Sequence, residues 1–143
     1  SLPSDVLRTY RPRAEKVDGY TIDDHHHLAK GAPMRPVFEA LRKQVLALDP
    51  CVTEEFLKFY VAFKAETNFV DVVAQAGKLR LSLNMQFHEL YDPKGLARDV
   101  TNVGRWGNGD VEVGLSSVEE LPYVMGLVRQ ALEKQMGNGE VGT

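Results

Sequence analysis

The chain has one cysteine, one tryptophan, no surplus of positive charge, and no apolar run near the about 18 residues that a membrane-spanning helix needs. With Cys51 alone, an intramolecular disulfide and a thiolate zinc cage are both excluded. A single free thiol points to a reducing compartment, the cytoplasm. No signal-peptide-like apolar stretch occurs, and no membrane partner is expected. Lys and Arg number 17 against 20 Asp and Glu, a formal net charge of −3. That balance argues against a domain devoted to tight phosphate-backbone binding, while leaving room for a local basic patch.

What remains is ordinary for a globular protein. The 143 residues are 43% hydrophobic and 26% charged, enough for one domain with a core and too few for two. The chain begins Ser1-Leu2-Pro3, which predicts a boundary inside a longer protein.

Pro3, Pro12, Gly19, Gly31 and Pro33 interrupt residues 1–34, which show no sustained period and predict an extended N-terminal arm or linker. The domain proper is expected over 35–136. Pro36 suits a first helical turn, and Phe38, Leu41, Val45 and Leu48 follow on one stripe, up to the stop at Asp49-Pro50. Thr53 before Glu54-Glu55 predicts the cap of a short helical turn. The period then becomes two. Phe59, Val61 and Phe63, then Val70 and Val72, then Leu79, Leu81 and Leu83 each alternate with more polar residues, as half-buried antiparallel strands do.

Asn108-Gly109, between Asp99–Trp106 and Val111–Leu115, predicts a two-residue hairpin. In that register Trp106 faces Val111 in the core and Arg105 faces Glu112. Ser117 with Glu120 is a capping-box pair that opens a last helix with a stripe of Leu121, Val124, Met125, Val128 and Leu132. Residues 137–143 read as a disordered tail. The predicted fold is therefore α+β: an antiparallel sheet of four to five strands, with two amphipathic helices packed on one face and the arm in front.

Catalytic and metal motifs fail one by one. His25-His26-His27 beside Asp23 and Asp24 reads as a solvated loop rather than a metal site, since only alternate histidines share a side and no further ligand is fixed. His88-Glu89 lacks the histidine four positions on that a zinc protease requires, for Asp92 stands there. Asp92-Pro93-Lys94 has the acidic-x-Lys spacing of some nucleases, but proline does not fit the core strand on which such triplets sit. Gly104, Gly107 and Gly109 match no phosphate-loop or dinucleotide spacing. No catalytic residue, metal or cofactor is expected of this domain.

One constellation survives. The sheet face turned away from the leucines would carry Lys58, Tyr60, Lys64, Phe69, Arg80 and Asn84, together with Asp71, Lys78 and Ser82. An aromatic and basic sheet face stacks bases or holds an anionic ligand. The competing reading is plain cross-strand packing beneath the arm or a neighbouring domain. From this face the candidate nucleic-acid or ligand residues are Tyr60, Lys64, Phe69, Arg80 and Asn84.

Five stretches carry a family resemblance: Leu46-Ala47-Leu48-Asp49-Pro50, Lys64 through Val73, Leu79 to Asn84, Asp92-Pro93-Lys94-Gly95-Leu96, and Asp99 through Val113. On these, residues 34–136 resemble a bacterial domain-of-unknown-function family, sometimes described as a predicted transport protein. Such domains look like carboxy-terminal modules, appended to GmrSD-type, ParB-like modification-dependent restriction proteins or to other predicted nucleases, and they also stand alone. The arm, Thr9-Tyr10-Arg11-Pro12 through Tyr20 to His25, is similar to the linker that precedes the module in the restriction proteins. The resemblance implies a non-catalytic accessory module of a phage-defence nuclease or NTPase. Its expected partners are DNA, modified DNA included, or the nuclease domain of its own longer chain. The alternative is a small-ligand or enzymatic domain with a pocket between sheet and arm.

Overall fold

The computed structural model describes residues 19–103 and 109–141, with side chains described as far as Gly137. Helix α1 spans Arg35–Leu46, with Pro36 in its first turn, and buries Val37, Phe38, Leu41 and Val45. Helix α2 spans Leu121–Val141 and is entered through a 3-10 turn at Val118–Glu120. The expected capping box does not form. Glu120 accepts the backbone N–H of Ser116, and the Ser117 side chain makes no capping bond. The helix continues to Val141, so the expected tail is helical from 137 to 141. Adding residues to an established helix costs little, and glycine opposes it by only about 1 kcal/mol.

Among the described residues, six antiparallel strands lie between the helices: β1 Thr53–Phe56, β2 Val61–Lys64, β3 Asn68–Ala74, β4 Leu79–Leu83, β5 Arg98–Asp99 and β6 Val111–Leu115. Their order is β1-β2-β3-β4-β6-β5. The additional strand is β1, where a helical turn was expected. Arg42 of α1 grips Glu54 with two hydrogen bonds, of 2.9 and 2.6 Å, and lies over the rings of Phe38 and Phe56. A glutamate turned toward a helix is tolerable once its charge is paired, which the Glu54-Glu55 pair does not announce.

Val61, Val72, Leu81 and Val113 face one another across the sheet, and Phe63, Val70, Leu83 and Val111 form the next row. Both rows are buried beneath the helices. Phe38 of α1 meets Phe63 at a ring separation of 6.4 Å, and α2 packs on β3 and β6.

Arg105, Trp106 and Asn108 lie outside the described residues. The ladder β6 makes nonetheless corrects the expected register. Val111 faces Leu83 and Asp99, and Glu112 faces Ser82 and Arg98. Asp99 and Arg98 thus hold the places assigned to Trp106 and Arg105. Strand β5 ends early because the Val103 N–H turns back to the Val100 carbonyl. Gly109 has φ +94°, and a Cβ there would lie 2.0 Å from the Leu83 carbonyl oxygen.

The described part of the arm is not extended. It holds two 3-10 turns, Ile22–Asp24 and His26–Leu28. Leu28 and Met34 enter the core, and His25 Nε2 donates to the Leu57 carbonyl at 2.7 Å. Each turn supplies a single anchor, so no periodic stripe betrays the docking.

Candidate nucleic-acid interface

The sheet face away from the helices is built by register. Ala62, Asp71, Ser82, Glu112 and Arg98 form one cross-strand row, and Val73, Arg80 and Gly114 the next. Ala62, Asp71 and Ser82 are buried. The accessible parts of the face are therefore its two ends.

At the β1–β2–β3 end the expected aromatic platform does not assemble. Phe69 is fully buried in the core, so its ring is not available to stack on a base. A bulge between Phe63 and Lys64 breaks the strict alternation that placed Phe69 outward. Lys64 Nζ donates to Glu55 at 2.9 Å. Tyr60 is half-buried. Burial raises the pKa of its hydroxyl, as do the nearby carboxylates of Asp71 and Glu55, with Lys64 opposing. Asn68 Nδ2 donates to Asp71 at 2.8 Å, and Asn84 Nδ2 donates to the Asn68 carbonyl at 2.9 Å. Tyr60 and Lys64 thus meet among carboxylates, and Asn84 ties two strands together.

The other end is basic. Lys78, Arg80 and Arg98 surround an open depression of about 450 Å³, with Leu96, Glu112 and Gly114 also in its lining. Glu112 is shared between the arginines, 3.1 Å from Arg98 Nη2 and 3.9 Å from Arg80 Nε. Lys78 has no ion-pair partner among the described residues. Its chain lies across Gly114, where a Cβ would meet the Lys78 Cδ at 3.6 Å. Of the five residues singled out in sequence, only Arg80 lies in this lining. Arg98 was missed because a two-residue strand carries no period to read.

Leu96 is held in place by a staple on α2. The Asp92 carboxylate accepts from the Tyr123 hydroxyl and the Ala97 N–H, while the Tyr123 oxygen accepts from the Lys94 N–H. Burial alone would raise the Asp92 pKa, but the Tyr123 hydroxyl and the N–H groups of Ala97, Leu96 and Gly95 together hold it below the usual carboxylate value. Gln130 adds two hydrogen bonds to the Tyr91 backbone. The acidic-x-Lys triplet is therefore part of a loop clamp, with Lys94 Nζ 4.8 Å from the Tyr123 ring centre.

The histidine run is divided by the fold. His25 is buried against Phe56, whereas His26 is exposed. Burial lowers the His25 pKa below its ordinary value, with the Leu57 carbonyl and Asp24 opposing. Among the described residues no three His, Cys, Asp or Glu side chains gather as metal ligands. None of the described helices is long and apolar enough to cross a membrane.

The chain belongs to the family described as "Domain of unknown function (DUF5655)", which matches residues 24–135. An uncharacterized protein of Haemophilus influenzae is 39% identical over 108 residues, which cover 75% of this chain. The chain spans only 36% of the length of that curated relative. No solved structure matches it.

Proposed function

We propose that this DUF5655 domain is a non-catalytic accessory module of a modification-dependent restriction nuclease, or of a related phage-defence nuclease. It binds nucleic acid through the β4–β6–β5 end of its outer sheet face. The observation that carries the reading is the grouping of Lys78, Arg80 and Arg98 around one depression with a single carboxylate. Three cations beside an open sheet surface suit a few phosphates of a flexible strand. The length of the Haemophilus relative supports a module within a longer chain.

Docking onto the nuclease domain of the same longer chain is the second reading, favoured by the net charge of −3. Titration of the 143-residue chain with single-stranded, duplex and base-modified DNA at two salt concentrations separates the two. Nucleic-acid binding predicts a measurable affinity that falls as the salt concentration rises. Affinity no better than about millimolar for every DNA would leave docking as the function.

A further inference from the structure

The same depression holds more than a patch of positive charge, because it also contains an acceptor. Arg80 and Arg98 both turn to Glu112, yet only the Arg98 contact, at 3.1 Å, lies within hydrogen-bond reach. The 3.9 Å gap to Arg80 is an ion pair without a hydrogen bond. Each guanidinium has five N–H donors, so one carboxylate leaves most of them unused. Glu112 is well shielded, with 14% of its side chain exposed, while Arg98 keeps 67% of its own exposed. An acidic group in this position repels a bare phosphate. It suits a ligand that carries a hydroxyl or amino donor beside its phosphate.

We propose that this depression is a subsite for a single nucleotide unit, resting on the nucleic-acid reading above. The phosphate lies among Lys78, Arg80 and Arg98, and a sugar hydroxyl donates to Glu112. A depression of about 450 Å³ falls in the size range of small-ligand sites. Leu96, 52% exposed on its rim, offers an apolar surface for the sugar or base. Gly114 leaves room for the Lys78 chain to lie over the floor. Its neighbour across the ladder is Arg80, and only the Lys78 side chain lies within 4 Å of where a Cβ would stand. A larger side chain on this residue fills the site without removing any charge.

The test compares a nucleoside 5′-monophosphate, the matching nucleoside, inorganic phosphate and a short single-stranded oligonucleotide, by calorimetry on the full chain. The subsite predicts that the monophosphate binds at least tenfold more tightly than either the nucleoside or inorganic phosphate. Gly114→Leu lowers monophosphate affinity at least tenfold, with circular dichroism checking the fold. Glu112→Gln strengthens binding of inorganic phosphate and narrows the preference for the nucleotide. Lys78→Ala, at an exposed residue, gives the same loss of monophosphate affinity should Gly114→Leu fail to fold. Equal affinity for phosphate and monophosphate overturns the subsite, as does undiminished monophosphate binding by Gly114→Leu or, if that variant does not fold, by Lys78→Ala. If the oligonucleotide still binds in that case, the broader reading stands; if nothing binds the wild type, both fall.

Discussion

The half-buried Tyr123–Asp92 pair and the buried His25 tie loops to the core and give the domain a defined response to acid. Tyr123 bridges the Asp92 carboxylate and the Lys94 N–H, so one hydroxyl fixes the loop that carries Leu96. Tyr123→Phe removes a hydrogen bond to a charged acceptor and is expected to lower the midpoint of urea denaturation. Weaker nucleotide binding should accompany it as Leu96 is released. His25 is held neutral by burial, with a folded pKa below 6.5. The unfolded chain therefore takes up a proton first as pH falls, so stability declines from about pH 6.5 downward until the folded state also protonates. The Asp92 contribution has a different window. Its folded pKa lies below 3.8, and its stabilisation is present above that value and lost as pH falls through the folded pKa. Urea midpoints across pH should show His25→Gln flattening the upper part of this decline while leaving the lower part. An unchanged upper slope would remove His25 from the account.

Elements with several residues on one stripe were legible in the sequence, and elements fixed by single contacts were not. Helix α1, the body of α2 and strands β2, β3, β4 and β6 follow from apolar spacing, because each buries two or more regularly spaced side chains on one face. Strand β1 was read as a helical turn because Glu54 turns inward only by virtue of Arg42, which is 12 residues away. That pairing is testable by a double-mutant cycle. Arg42→Ala leaves the largely shielded Glu54 without its partner and should cost about 1–3 kcal/mol, with a favourable coupling to Glu54→Ala of about 0.5–3 kcal/mol. Additive costs would mean that β1 is held by strand pairing alone. The candidate site shows the same limit. Alternation placed Arg80 outward correctly, but it also placed Phe69 outward, and the bulge beside Lys64 reverses that reading. Arg98 reaches the depression through a strand of two residues, too short for any pattern.

At the scale of the whole molecule, a six-stranded sheet carries both helices and its core on one face, while the other face opens at two ends of different character. One end sets Lys64 and Tyr60 beside Glu55 and Asp71, and the other groups Lys78, Arg80 and Arg98. A net charge of −3 makes this separation consequential, since anion binding has to be local rather than spread over the surface. The most direct measurement is an amide-resolved NMR titration of the chain with a single-stranded oligonucleotide. The account predicts shifts concentrated at residues 78–80, 96–98 and 112–114, with Tyr60, Lys64 and Phe69 little changed. Shifts centred on the Tyr60–Lys64 end or on the helices would contradict it, as would a spectrum that does not change.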